Sequence, residues 1–424
     1  MRQAAIVLGL AVGIGLAGAR AEAQPVLGGF VEAVQAIRVE ENAVWGDGDL
    51  GARLYPRSEL RAQLTARESR DREELFVRVD IVSDATGRVA TDVDLREAYI
   101  KVRLFDWLDI KAGRQVATWG TGDLIFANDL FAKDWQAFLT ALDDAYLKPP
   151  QDLLRASLYS HGLTLEVALS PYFTPDNLPR GERISVYNPF TGYAVGSDGL
   201  PRIVEPSHQL ENGEFFARIA GWRGSAEWAL YGYNGFWPTP QGATESGILY
   251  YPRMWSGGAS LRLPLGSVLA HSEIAAYISR DDTDGDNPFV ANSQIRGLVG
   301  AEKSLGNDWT VGAQYYAEWM MNHDRYVTSL AGFPEGTPVF DEVRSTVTGR
   351  IGKWARQQTL YISLFGYWGI TDEDWHLRPA VSYKVTDAVQ WTVGGSLVGG
   401  ENPYTTFGQF RDNSNIFTRV RFSF

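Results

Sequence analysis

Along most of the chain, apolar and polar residues alternate one for one over runs of about ten residues, the period of a strand with one dry and one wet face. In the run 58–67, Leu60, Ala62, Leu64 and Ala66 share one face, while Glu59, Arg61, Gln63, Thr65 and Arg67 share the other. The split recurs over 75–82, 97–104, 154–159, 215–222, 226–233, 309–319, 359–367, 375–385 and 415–424. Short turns separate many of these runs: 105–107, 161–162, 223–225, 265–267, 305–308 and 386–388. Longer stretches rich in Pro, Gly and Asp separate others, over 171–213, 237–254, 281–292 and 322–340. Short turn alternating with long loop predicts an all-β fold, a transmembrane antiparallel β-barrel of about eighteen strands with both termini periplasmic. Merging two ambiguous hairpins gives about sixteen.

A soluble sandwich or propeller would also alternate. Three features point to the membrane barrel: the exposed face is the apolar one by count, the chain ends in an amphipathic strand, and Trp107, Trp222, Trp228, Trp309, Trp319, Trp375 and Trp391 fall near strand ends, where interfacial girdles sit. The last strand, 415–424, places Ile416, Val420, Phe422 and Phe424 on one face. It resembles the C-terminal signal that outer-membrane proteins present to the barrel-assembly machinery.

Composition removes the competing classes. The 424 residues carry no cysteine, which excludes disulfide scaffolds, thiolate metal sites and cysteine nucleophiles. A mean hydropathy of -0.19 and the lack of a long apolar run after the N-terminus exclude a helical membrane protein. The net charge of -12 argues against nucleic acid as a partner. At the N-terminus, Arg2, the apolar run 4–16 and the small-residue site Ala21-Glu22-Ala23 read as a signal peptide over residues 1–23, cleaved after Ala23. Residues 24–424 then form one exported barrel in a Gram-negative outer membrane, in contact with its lipid and lipopolysaccharide.

Leu95-Arg96-Glu97-Ala98-Tyr99, then Gly113-Arg114-Gln115, Trp119-Gly120, Asp123, Asn128-Asp129 and Asp134-Trp135, together resemble a pattern shared by Gram-negative barrel porins. Glu211-Asn212-Gly213-Glu214-Phe215 to Ile219 is similar to a second segment of that group. The group is similar to the alginate-export family of channels, and the motifs cover about a quarter of the chain. The resemblance implies a monomeric channel with no cofactor, passing a small solute or exporting a polysaccharide with a separate periplasmic partner.

The same motifs have a physical reading. Strict alternation from Lys111 points Arg114 at lipid, where a midplane charge costs about 2–4 kcal/mol. Arg114 therefore sits near the rim, or a bulge at Gly113 turns it into the lumen, the alternative the glycine favours. The stretch 121–152 is too long for a plain loop. Asp134 caps a helix bearing Trp135, Phe138, Leu139 and Leu142 and stopped by Pro149-Pro150. Either this loop folds into the barrel as a constriction, with Asp123, Asn128, Asp129, Asp134 and Trp135 its site residues, or it lies over the rim.

With the apolar face outward, the inward basic residues are Arg38, Arg61, Arg67, Arg78, Lys101, Arg103, Lys111, Arg155, Arg218, Arg262, Arg296, Arg344, Arg350, Arg378, Lys384, Arg419 and Arg421. Inward carboxylates are fewer: Glu32, Glu59, Asp80, Glu97, Asp109, Glu227, Glu273, Glu302, Glu318 and Glu342. Such a lumen selects anions, unless the groups pair across neighbouring strands and only fill a polar interior. Arg114 joins the candidate pore-lining set through the bulge. The carboxylate-rich stretch 281–287 lacks the bidentate Glu of a calcium loop and reads as a solvated turn, so no metal is expected. The five histidines are scattered and no nucleophile or phosphate motif appears. The leading expectation is a passive channel and not an enzyme. A barrel lipase or protease, and a non-conducting adhesion or assembly barrel, are the alternatives.

Overall fold

A computed structural model describes residues 25–40, 44–45, 53–86 and 91–424. The expected signal peptide over 1–23 lies outside the described residues. The wall is one 18-stranded antiparallel sheet, which decides between the two expected strand counts. In chain order the strands are β1 (Val26–Arg38), β2 (Arg57–Ser69), β3 (Glu73–Asp84), β4 (Asp92–Phe105), β5 (Leu108–Gln115), β6 (Gln151–Ser160), β7 (Leu163–Ser170), β8 (Glu214–Arg223) and β9 (Ala226–Phe236). They continue as β10 (Arg253–Leu265), β11 (Val268–Ser279), β12 (Gln294–Gly306), β13 (Trp309–Met320), β14 (Val343–Ala355), β15 (Leu360–Gly369), β16 (Asp374–Lys384), β17 (Val389–Gly400) and β18 (Asn415–Ser423).

Each strand pairs with the next, and β1 pairs with β18 from Phe30↔Ser423 to Arg38↔Asn415. Closure leaves no open edge, the only way a sheet satisfies its backbone groups in hydrocarbon. The terminal residue completes it: the Phe424 and Gly29 amides each donate to the other's carbonyl, at 3.0 and 3.1 Å. All the expected short turns lie at one end of the barrel and the longer loops at the other. One connection at the long-loop end is short, residues 370–373 between β15 and β16.

The period-2 pattern is the wall's inside and outside. Leu60 and Leu64 are 53% and 51% exposed, whereas Arg61 between them is 7% exposed. Exposed tryptophans ring both ends, Trp107, Trp222 and Trp391 at the short-turn end and Trp255, Trp319 and Trp368 at the long-loop end. An apolar belt between two aromatic girdles is the surface of a bilayer-spanning barrel. Leu64→Arg, in the middle of β2, is expected to lower unfolding free energy by about 2–4 kcal/mol in urea titrations from lipid vesicles. Gln63→Arg, on the wet face, is the matched control with a much smaller loss.

The ladder corrects the expectation for Arg114. Gly113 does take a φ of +121°, but the β4–β5 register runs through it unbroken, Tyr99↔Gly113 and Ala98↔Arg114. The extra residue is in β4, where Arg78↔Glu97 is followed by Val79↔Leu95 and Arg96 is left over. Arg114 stays at an outward position at the long-loop rim, opposite Asp152 at 3.8 Å, with its Nε donating to the Leu95 carbonyl at 2.7 Å. It is not pore-lining. The bulge instead turns Arg96 inward, a use bulges commonly serve.

Candidate functional site

The barrel interior is occupied by residues 116–150, the connection between β5 and β6, whose ends fall slightly before the expected 121–152. This segment folds into the lumen and does not lie over the rim. Side chains from opposite parts of the wall hold it. On one side, the Tyr277 hydroxyl of β11 donates to the Ala127 carbonyl at 2.7 Å, and Tyr367 of β15 to Leu124 at 2.6 Å. On the other, Arg57 of β2 donates to the carbonyl and hydroxyl of Thr140, both at 2.7 Å, and the Asn415 amide of β18 to Leu139 at 3.2 Å. Arg96, freed by the bulge, stacks over the Tyr146 ring at 4.0 Å and donates to the Ala145 carbonyl at 2.8 Å.

Local sequence explains the loop's own shape. Asp134 accepts from the Ala137 amide at 2.7 Å and starts the short helix α1 (Trp135–Leu139). The expected stop at Pro149-Pro150 is not where it ends. The helix closes at Thr140, because Ala141 takes a φ of +68°, and a single 3-10 turn, Asp144–Leu147, follows. Phe138 and Leu139 still serve as the apolar stripe, packed against Leu147, Leu298, Phe365, Tyr367 and Val398 of loop and wall.

The expected constriction residues divide by role. Asn128 is tied to Glu273 through its side-chain amide at 2.8 Å. Asp129 is buried against Lys133 at 3.2 Å and accepts from the Thr118 hydroxyl at 2.7 Å. The Trp135 indole donates to Asp176 at 2.8 Å, in the next long loop, residues 171–213. Burial pushes the Asp176 carboxyl up to about 6, although Lys133 and the indole favour its ionised form. These residues build the loop. Asp123 alone of the five faces open lumen, at 41% side-chain exposure, with Arg350 of β14 at 2.5 Å.

Asp143 and Asp144 complete the loop's acidic edge. Asp144 meets Arg378 of β16 at 2.6 Å, and Asp143 faces Arg419 and Arg421 of β18 at 3.6 and 3.4 Å. Burial alone would raise the Asp143 carboxyl, but Arg419, Arg421, the Ala145 N–H and Arg378 outweigh it and hold it below the ordinary carboxylate range. A row of loop carboxylates thus stands opposite a row of wall guanidiniums.

Elsewhere the inward bases are largely paired. Arg61 binds Glu59 at 2.7 Å and Asp80 at 2.6 Å, Arg78 binds Glu97 at 2.7 Å, and Lys101 and Arg103 share Asp109 at 2.9 and 3.0 Å. Arg155 and Arg218 share Glu166 at 3.1 and 2.9 Å. Arg344 bridges Glu318, at 3.8 Å, and Asp372. Lys111 places its ammonium 3.6 Å from the centre of the Tyr99 ring. Lys384 and Arg262 have no carboxylate within 4 Å among the described residues. Cross-strand pairing therefore accounts for most of the basic excess, and few cations are left uncompensated. Glu342 leaves the inward acidic set, since it accepts from the indole of outward-facing Trp319 at 3.0 Å.

Sequence reasoning missed the loop's anchors. Arg57 and Arg183 were not singled out, although Arg183, in the loop 171–213, reaches Asp84 at 2.7 Å and Glu59 at 3.8 Å. Glu166 was missed too, and here a signal existed: it alternates with Leu163, Leu165, Val167 and Leu169 along β7, although its place opposite Arg218 is set across the long loop 171–213.

The stretch 281–287 is a turn closed by Asp282, which accepts from the Gly285 and Asn287 amides at 2.9 and 3.1 Å, while Arg253 and Arg325 meet Asp281 and Asp284 from outside it. Ser160 Oγ and His161 Nδ1, neighbours in sequence, meet at 2.8 Å on an exposed short turn; the buried Ser–His pair among the described residues is His376 Nε2 and Ser396 Oγ at 2.9 Å. It is sealed beneath Phe138, Tyr367 and Phe407, both residues are buried, and His376 Nδ1 has no partner among the described residues. Among the described residues no carboxylate orients that imidazole as a base.

Comparison with known proteins gives the class of the fold. The chain is similar in structure to OccAB4 of Acinetobacter baumannii, with a TM-score of 0.54, 11% identity, and 95% of this chain and 98% of that one covered. It is likewise similar to OccK3 (OpdO) of Pseudomonas aeruginosa, at 0.53 and 12% identity with 95% of each chain covered. OccK11 (OpdR) of the same species gives 0.50 and 11%, covering 94% of this chain and 95% of that one. The fold is that of an integral outer-membrane β-barrel. No protein-family profile and no curated sequence matches the chain, so the likeness to the alginate-export group stays a resemblance of motifs.

Proposed function

We propose that the chain is a passive outer-membrane channel of a Gram-negative bacterium that passes small solutes, with a preference for anions, between the inserted loop and the wall. The observation that carries this reading is the exposure of charged groups inside the barrel. Asp123, Arg350 and Asp144 keep 41%, 28% and 47% of their side-chain surface open to solvent although they face inward. Charged groups that stay hydrated mid-lumen mark a wet path along the loop, as in barrels of this strand number.

Anion preference rests on the few cations that lack a carboxylate, Arg262 and Lys384, with Lys111 held on an aromatic face. A small solute fits better than a threading polymer, because the loop crosses the lumen and is tied to both sides of it. The short-turn end and both termini face the periplasm in this reading. The strand ending at Phe424 is the contact with the assembly machinery, and the belt is the contact with lipid and lipopolysaccharide.

Reversal potentials across a KCl gradient test the charge claim. Wild-type protein is expected to favour chloride, and Arg262→Glu with Lys384→Glu to lower the chloride-to-potassium permeability ratio about two- to threefold. A ratio unmoved by the double reversal means that these cations do not face the path.

A further inference from the structure

Glu273, in the middle of β11, is 5% exposed, yet among the described residues no Lys, Arg or His forms an ion pair with it. Its charge is met by the inserted loop. Oε1 accepts from the Thr121 amide, from the Thr121 hydroxyl at 3.0 Å and from the Gly122 amide at 2.9 Å. Oε2 accepts from the Asn128 amide at 3.1 Å and from its side-chain Nδ2 at 2.8 Å. Five donors converge on one carboxylate, and hydrogen bonds to an ionised acceptor are roughly twice as strong as neutral ones. The approach depends on Gly120, whose φ is +83° and where a Cβ would stand 2.9 Å from Oε1.

Asp123 lies between the two bonded ends of this bend. Its carboxylate takes both Nε and Nη2 of Arg350, at 2.5 and 2.8 Å. Gln314 of β13 clamps its backbone, accepting from the Asp123 amide at 2.7 Å and donating to its carbonyl at 2.9 Å. Besides His271 and Thr348 of the wall, Gln314 holds only that residue of the bend, whereas Glu273 ties down the chain on both sides of it.

We infer that Glu273 is a positioning residue for charge selection, an inference that rests on reading the chain as a channel. By fixing the bend 121–128 it keeps Asp123 on Arg350 and so cancels a wall cation that would otherwise face the solute. Its effect runs through Asp123 and not through its own charge, which the loop amides already compensate.

The test uses the full chain in lipid, as wild type, Glu273→Ala, Asp123→Ala and the double variant, with two readouts. Amide hydrogen exchange over 121–128 is expected to be about tenfold faster in Glu273→Ala, since a cluster of bonds to one charged acceptor is lost. The reversal potential is expected to move toward chloride in Glu273→Ala, with the same sign as in Asp123→Ala, and no further in the double variant. Unchanged exchange overturns the anchor. Additive shifts overturn the route through Asp123, because they show Glu273 acting as an independent charge. Glu273→Gln keeps the volume and one acceptor oxygen, so intermediate exchange is expected of it, and it carries the test if the alanine variant fails to assemble. If wild-type protein passes no current, the channel reading and the selectivity role fall together, and the exchange data still decide whether Glu273 anchors the bend.

Discussion

Replacing residues 121–148 by a short Gly/Ser turn is expected to raise single-channel conductance several-fold and to shift selectivity further toward anions. Both effects follow from what the segment brings into the lumen. Phe131, Phe138, Leu139 and Leu142 fill volume there, buried against the wall. Asp123, Asp143 and Asp144 compensate Arg350, Arg378, Arg419 and Arg421. Without the loop those guanidiniums face water with fewer partners, and Glu32 alone still serves Arg419 and Arg421, at 3.8 and 2.6 Å. The wall survives the deletion because its cohesion lies in closed backbone ladders, none of which uses residues 121–148. Conductance in planar bilayers, with heat-modifiable gel mobility as the folding control, checks this. A folded deletion variant with native conductance would mean that the loop does not narrow the path.

Glu59→Ala is expected to carry the largest stability cost of any single lumen substitution. The Glu59 side chain is 2% exposed and sits among three guanidiniums, those of Arg57, of Arg61 at 2.7 Å and of Arg183 at 3.8 Å. Removing the carboxylate leaves buried positive charges facing one another, a loss of about 3–5 kcal/mol for a broken buried pair. The damage is local in kind. Arg57 also holds Thr140 of the inserted loop and Arg183 belongs to the loop above it, so both loops loosen before the wall does. Hydrogen exchange is expected to accelerate over 134–147 and 180–186, with the strand cores of β8–β13 unchanged. Uniform acceleration around the barrel would show that the cluster supports the wall and not the loops.

The architecture was legible because its determinants are local. A strand in a bilayer must alternate residue by residue, so Leu60, Arg61 and Leu64 declare their faces without knowledge of the rest of the chain. Turns such as Asn307-Asp308, both with positive φ, mark themselves by residue type. The loop's entry into the lumen was one of two open readings, because an apolar stripe with Asp143 and Asp144 beside it suits either place. What decides it are contacts across long stretches of sequence, such as Glu273 to Thr121, 152 residues apart. The bulge was misplaced for a related reason. Gly113 advertises backbone freedom, but the surplus residue is Arg96, and surplus is a property of two strands aligned together. Counting inward charges found most of the lumen bases. It overstated their free charge, since pairing depends on register, and Glu166, shared by Arg155 and Arg218, was absent from the count.

Single-channel recording of the full chain in planar bilayers tests the central claim most directly. The proposed function predicts a steady, passive, ohmic current of modest size, anion-preferring under a salt gradient, from purified folded protein. No current from folded, membrane-inserted barrels would contradict it, and would mean that the lumen is sealed by the loop and that the barrel serves another purpose.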